Sequence, residues 1–331
     1  MPKREFDLIT FGEAMVRLSP PGSRRLEQAD LFDVKVGGGE LNVAVASARL
    51  GFKCAWISAL PDNPLGKMVR NKVREQGVDT SYIIFSTRGR QGLYFVEFGA
   101  SPRASQVLYD RQYSSISMIQ PSDIEWDKIF SQSKAFHVSG ITPALSKTAA
   151  ETTQAALKAA KKNRCLVSYD LNYRAKLWTT QEANKCQTPL MDYVDILITT
   201  EEDTNKVFGL KGKNYEETAR KLANKFGFKA VAITLRGDLS VLKNTWTAIA
   251  FSEGKIYRDK TYEVEIVDRV GAGDSFSAGF LYGYLSGGVE KGLQYGNALA
   301  AIKHSIPGDF CWSDRKEVEA LIQGGSLRIV R

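Results

Sequence analysis

Apolar residues along this chain fall into short runs and helix-spaced stripes that take turns, and the rhythm breaks twice. Residues 7–11 form an apolar run ending at Gly12, which predicts a first strand. No helix pattern follows. Residues 14–18 read as extended, Pro20, Pro21 and Gly22 make a turn, and residues 31–36 supply another strand. After Gly37, Gly38 and Gly39 the alternation becomes regular. A helix over 41–50 is stopped by Gly51, a strand follows over 55–60, and a helix over 65–76 carries Leu65, Met68, Val69 and Val73 on one face. The second break spans 92–109, where residues 93–98 and 106–108 predict two strands joined by a turn around 99–103. Strands over 135–139, 165–170, 196–199 and 230–235 then alternate with helices near 146–162, 180–192 and 215–226. That order implies a parallel sheet covered by helices on both faces.

The two breaks, about 13–36 and 90–113, read as one small sheet inserted into an α/β domain made of residues 1–12, 37–89 and 114–331. Ligands bind at the carboxyl ends of parallel strands, so the small sheet is expected to act as a lid over that mouth. Its strands have too little chain beneath them to form a core. Their apolar residues must rest on the main domain or on a second subunit, which predicts a homodimer joined through this sheet.

Composition removes several function classes. The chain has 331 residues, and no apolar run approaches the ~18 residues that a membrane span requires. The opening MPKREFDLIT shows no secretory signal. Cys54, Cys165, Cys186 and Cys311 lie far apart, and His137 and His304 are the only histidines, so neither a disulfide framework nor a zinc site is indicated. A reducing cytoplasm is the expected compartment. The formal net charge of +8 is dispersed, and the doublets Arg24–Arg25 and Lys161–Lys162 never grow into a run. This reads as a solvated surface with a mild preference for anions rather than a nucleic-acid site, and a small anionic substrate such as ATP fits the charge equally well.

The candidate chemistry lies in 263–285. Val264 and Ile266 alternate with polar neighbours as a strand, then come Asp268, Arg269, Val270, Gly271, Ala272, Gly273 and Asp274, and a helix runs from Ser275. On that helix Phe276, Phe280 and Tyr284 recur every fourth residue. A glycine turn that opens a helix brings backbone N–H groups close to an anion, and a neighbouring carboxylate can accept the proton of an attacking hydroxyl. The helix N-terminus is expected to lower the pKa of that carboxylate, Asp274. Taken alone, the same residues are better read as a helix cap and a chain turn, because short glycine motifs recur by chance. Other nucleotide motifs are missing: there is no GxxxxGK[ST] loop, no protein-kinase HRD and DFG pair, and no GxGxxG after the first strand.

With GGGELN near residue 40, GAGDSF after a strand resembles the ribokinase-like (PfkB) carbohydrate kinases, and the resemblance covers nearly the whole chain. FGEAMVRLSPP, ALPDNPLG, VLYDR, HVSGITP, YDLNYRAKLW and VDRVGAGDSF are similar to the 2-keto-3-deoxygluconate kinases of that family. The resemblance implies a three-layer α/β fold with a mostly parallel central sheet and a small β-sheet lid. It also implies transfer of the γ-phosphate of ATP, with Mg²⁺, to 2-keto-3-deoxygluconate. By the same resemblance Asp274 is the catalytic base, and Gly271, Ala272 and Gly273 are the anion hole. Gly38, Asn42, Tyr94, Tyr109, Arg111 and Arg174 would hold the sugar acid. Asn172, Tyr173, Arg174, Thr234, Leu235, Arg236, Gly237 and Asn297 would line the ATP site.

Two positions depart from the family pattern. Arg269 follows Asp268 where relatives often have threonine, and Thr200 opens the Thr-Glu-Glu-Asp segment where many have asparagine. The resemblance therefore names no magnesium ligands, and residues 304–309 fix no monovalent-cation requirement. The readings that compete are a neutral-sugar kinase of the fructokinase or ribokinase type, a non-catalytic sugar-binding relative, and a dinucleotide-dependent oxidoreductase. The last lacks its early glycine motif.

Overall fold

The computed structural model describes residues 4–325. In chain order its first elements are β1 (Phe6–Phe11), β2 (Met15–Ser19), β3 (Asp33–Gly37), α1 (Gly39–Arg49), β4 (Cys54–Pro61), α2 (Pro64–Glu75), β5 (Ile83–Ser86), β6 (Gly92–Glu97) and β7 (Gln106–Asp110). Next come α3 (Trp126–Phe130), β8 (Ser133–Ser139), α4 (Ile141–Ala144), α5 (Lys147–Lys162), β9 (Leu166–Asp170), α6 (Thr180–Leu190), β10 (Ile196–Thr199), α7 (Glu201–Phe208) and α8 (Tyr215–Phe226). The chain closes with β11 (Ala230–Ser240), β12 (Lys243–Ser252), β13 (Lys255–Arg258), β14 (Tyr262–Glu265), α9 (Ala272–Gly287), α10 (Val289–His304) and α11 (Arg315–Ile322).

Local chemistry explains most of the starts. Asn63, Ser146, Thr179 and Asn214 each turn a side-chain oxygen onto a backbone N–H of the helix that follows, satisfying a donor the first turn leaves open. Among the described residues the strands form two sheets, one of ten and one of four. The large sheet runs β13-β12-β11-β10-β9-β8-β1-β4-β5, with β14 also paired to β12. From β11 to β5 every pairing is parallel, whereas β12, β13 and β14 pair antiparallel. Alternate residues bury opposite faces of this sheet. Ile9, Phe136, Val167, Leu197 and Val231 pack under α3, α5, α6, α7 and α8. Leu8, Ala135, Ile196 and Ala230 pack under α1, α9 and α10. The fold is therefore α/β with a mostly parallel central sheet between two helical layers, plus the smaller sheet.

The smaller sheet runs β3-β2-β6-β7, with β2 and β6 parallel. One cross-strand row of side chains is Lys35, Arg17, Tyr94 and Tyr109, and the next row, on the opposite face, is Val34, Leu18, Phe95 and Leu108. The first row turns toward the carboxyl ends of the main strands. In the second, Val34 and Leu108 are 53% and 57% exposed.

Three features depart from the sequence reading. The β12–β13 hairpin and α7 and α10 were not anticipated, and the strand expected around Val264 and Ile266 ends at Glu265. Helix α9 begins at Ala272 rather than Ser275, which puts Asp274 inside its first turn.

Candidate active site

The 268–271 turn is fixed from beneath. The Asp268 carboxylate accepts the N–H groups of Val270 (3.0 Å) and Gly308 (2.8 Å) and pairs with Arg17 at 2.7 Å. Gly271 lies at φ +86°, and a Cβ there would sit 2.2 Å from the Asp309 carbonyl oxygen, so no other residue fits. The Ser275 N–H already reaches the Gly271 carbonyl (2.8 Å) and the Ala272 N–H the Arg269 carbonyl (3.3 Å). That leaves the N–H groups of Gly273 and Asp274 without a backbone acceptor among the described residues. Gly271 and Gly273 line the pocket, while Ala272 is buried behind it.

Asp274 faces α1 across the pocket floor. Its carboxylate accepts from Asn42 Nδ2 at 2.7 Å, and Asn42 Oδ1 accepts the Gly38 N–H at 3.3 Å. Gly38 cannot be larger, since a Cβ would fall 1.9 Å from the Glu13 carbonyl oxygen. The expectation of a depressed pKa is overturned. Burial lifts Asp274 to about 7, opposed by the Asn42 hydrogen bond and Arg174 and reinforced by Glu40 and Asp309. Loss of hydration outweighs the helix terminus. Glu40 itself is held by Ser139 and Thr142, tying α1 to the end of β8.

These groups open onto a cavity of about 840 Å³ at the carboxyl ends of β9, β10 and β11. One end lies under the small sheet. Arg111 pairs with Glu13 and stands 5.3 Å over the Tyr109 ring, which stacks on Tyr94 at 5.9 Å. Arg111 Nε and Glu13 Oε1 are buried and have no hydrogen-bond partner among the described residues. Tyr94 lines the cavity, but its hydroxyl donates to Asp309.

The other end is strongly cationic. Arg174, Arg236 and Arg269 all line it, and Arg236 lies 4.9 Å over Trp246. Burial lowers the Arg236 pKa, and repulsion from Arg174 and Arg269 adds to it. Asp170 and Asp203 face these cations; burial raises Asp170 to about 8, and Asp274 and Asp203 push in the same direction. Thr200 caps α7 by accepting the Asp203 N–H at 3.1 Å. Asn172, at φ +38°, Tyr173, Thr234 and Leu235 complete this wall. Two expected residues are elsewhere. Gly237 lies farther along β11, outside the lining, and Asn297 is fully buried in α10, where it donates to Asp259 at 3.0 Å.

The sequence reading passed over Glu13, Glu40, Asp170 and Asp203. Each sits inside or beside a motif already singled out: FGEAMVRLSPP, GGGELN, YDLNYRAKLW and the Thr200–Asp203 segment.

A glycine turn that opens a helix, a carboxylate beside it and a two-ended cavity with arginines at one end form an arrangement suited to phosphoryl transfer. Residues 6–309 match the model of the pfkB family of carbohydrate kinases, and the chain belongs to that family. It is 39% identical over 326 residues to a 2-dehydro-3-deoxygalactonokinase of Haloferax volcanii, covering 98% of this chain and 99% of that one. A 5-dehydro-2-deoxygluconokinase of Bacillus subtilis is 31% identical over 333 residues, with 98% of each covered. The crystal structure of 2-dehydro-3-deoxygluconokinase from Thermotoga maritima superposes with a TM-score of 0.93 at 44% identity, covering 96% of this chain and 100% of that one. A ribokinase-like structure from E. coli solved with ATP and Mg²⁺ shares the fold at 21% identity, with a TM-score of 0.84 over 96% of this chain and 99% of that one.

Proposed function

We propose that this carbohydrate kinase phosphorylates a sugar acid, 2-keto-3-deoxygluconate to its 6-phosphate, using ATP. The observation that carries the reading is Arg111 in the small-sheet end of the cavity, with a buried Nε donor and a nearby Glu13 oxygen that both lack a partner among the described residues. An arginine fork suits a carboxylate, and the adjacent free acceptor suits a hydroxyl. A neutral sugar offers only the second. The activities for which the 39% and 44% identical relatives are named support the same substrate class.

The sugar lies between Asn42, Tyr109 and Arg111 with its terminal hydroxyl at Asp274. The triphosphate lies along Arg174, Arg236 and Arg269, with its γ-phosphoryl at the α9 N-terminus. As the hydroxyl oxygen bonds to phosphorus and the bond to the β-phosphate oxygen breaks, Asp274 takes the hydroxyl proton. The Gly273 and Asp274 N–H groups bind the phosphoryl oxygens, where negative charge is redistributed. A carboxyl of pKa about 7 suits a base working near neutral pH.

The nucleotide end fits magnesium held chiefly by phosphate and water. Asp170 and Asp203 offer carboxylates there, and among the described residues no three His, Cys, Asp or Glu groups form a cage. When bound, the ion would neutralise phosphate charge and orient the γ-phosphoryl. The compartment we assign is the cytoplasm, and no described helix is long and apolar enough to cross a membrane. We assign a homodimer through the outer row of the small sheet and a closing motion of that sheet over the sugar.

The test is ADP release from the purified protein with 2-keto-3-deoxygluconate, 2-keto-3-deoxygalactonate, fructose and ribose. A preference for the two acids supports the reading. A preference for fructose or ribose replaces it with the neutral-sugar kinase, and no ADP release with any sugar favours a non-catalytic binder.

A further inference from the structure

A buried cation lies behind the anion-binding turn, and the chemistry above makes no use of it. Lys303, in the last turn of α10, is 0% exposed, and its ammonium donates to the carbonyl oxygens of Asp268 (3.1 Å) and Ile306 (2.9 Å). These carbonyls belong to the two segments that shape the turn. Asp268 begins it, and Ile306 begins the loop whose Asp309 carbonyl presses on Gly271. The lysine Cε comes within 3.4 Å of where a Gly271 Cβ would stand. Around the ammonium are the carboxylates of Asp268 and Asp309, both paired with Arg17 at 2.7 and 3.0 Å. Two basic and two acidic side chains thus meet at the base of the pocket, where Asp309 reaches its lining.

Packing alone does not call for lysine here. Methionine has nearly the same reach and would fill the volume without a buried charge. Nor does the ammonium serve only to end its own helix, because its two acceptors lie beyond α10. Asp268 is 35 residues earlier in the chain. What the charge does is draw two carbonyls from separate segments to one point.

We propose that Lys303 is a positioning residue for phosphoryl transfer, an internal cation that clamps the Asp268 and Ile306 carbonyls and so holds the Gly271 turn and the first N–H groups of α9 in anion-binding geometry. It touches neither sugar nor nucleotide, so its loss should lower kcat and leave the sugar KM nearly unchanged.

The experiment compares Lys303→Met and Lys303→Ala with wild type in the full-length protein, using the best sugar from the substrate screen. Should that sugar be neutral, the sugar-acid assignment fails while this comparison stands. Lys303→Met, which fills the space but leaves both carbonyls without their donor and the carboxylates short of one cation, is expected to fold and melt below wild type, and to lose about 10–100-fold in kcat, as groups that orient a primary contact do. Lys303→Ala leaves a small hollow edged by two carbonyls and two carboxylates. Added ammonium, methylammonium or potassium should restore its kcat about tenfold or more, with no effect on Lys303→Met or wild type. A folded Lys303→Met with wild-type kcat overturns the proposal, and so does a folded Lys303→Ala that none of the three cations revives. If Lys303→Ala fails to fold, the kcat of Lys303→Met decides alone.

Discussion

Replacing Asp274 with asparagine should make the protein slower and more stable at once. The substitution keeps the shape and can keep the contact with Asn42, 2.7 Å away, while removing the carboxylate that we propose takes the proton. Burial lifts the carboxyl from its ordinary 3.8 to about 7. At about 1.4 kcal/mol per tenfold change in proton affinity, that lift represents about 4 kcal/mol of cost to ionise it in the native state at pH 8. The carboxyl is partly open to the pocket, and solvent there screens some of this, leaving about 1–3 kcal/mol. The direction with pH follows from proton binding. The folded protein holds this proton up to about pH 7. The unfolded chain releases it near pH 4, so the contribution of Asp274 to stability falls as pH rises from about 4 through 7. Asparagine has no such proton. Denaturant melts at pH 5 and pH 8 should therefore show Asp274→Asn above wild type, with the larger gap at pH 8. Turnover should drop about 10²–10⁴-fold, with ATP affinity little changed. A variant no more stable than wild type at pH 8, a gap that does not widen from pH 5 to pH 8, or near-wild-type turnover would refute the reasoning.

Four further outcomes are expected. Wild-type kcat should climb with pH through about 7 and then level off, because Asp274 must be ionised to act; a flat profile from pH 6 to 8 points to another base. Arg111→Ala should raise the KM for 2-keto-3-deoxygluconate by an amount equal to about 2–5 kcal/mol and leave that for ATP nearly unchanged; steady-state kinetics that show the acid-sugar preference intact contradict the role. Arg17→Ala strands Asp268 and Asp309 in a dry site and should cost about 3–5 kcal/mol in urea unfolding, whereas a surface pair would cost less than about 1. Leu108→Asp with Val34→Asp should turn a dimer into monomers in light scattering at micromolar concentration; a wild type that is already monomeric removes the interface.

What could be read in advance follows the range of the forces involved. The glycine turn, the carboxylate beside it and the helix caps are local. Gly271 and Asp274 lie three residues apart, and their geometry is written in that spacing. The pKa of Asp274 was misjudged because the helix dipole is visible in sequence and the surrounding burial is not. Glu13 and Arg111 lie 98 positions apart, so nothing near either residue announces their pairing. Asn42, by composition a surface residue of a helix, is buried because α1 turns its first turn to the pocket. Asn297 fails in the opposite way: a polar residue that looks available spends its amide on Asp259. The β12–β13 hairpin lies between the strand ending near 235 and the glycine turn, outside every motif that carries the chemistry. Yet Trp246, Ala248 and Ala250 alternate there as buried strand positions.

The pairing of Arg17 with Asp309 sets an order of events for the making of this protein. The two residues are 292 positions apart. On a ribosome working at about 5–20 residues per second, Arg17 is synthesised roughly 10–60 s before Asp268 and Asp309, the two carboxylates it will pair with. Until then its guanidinium must stay hydrated, and the strand that carries it has no finished surface to lie on. Nor can the Gly271 turn take shape earlier, since the loop that presses on Gly271 belongs to the same late segment. Growing chains therefore pass through synthesis without a site that can turn over ATP. Activity appears only when the first and last portions of the polypeptide have met, so a nascent chain stalled before residue 309 should carry much of its sheet and no kinase.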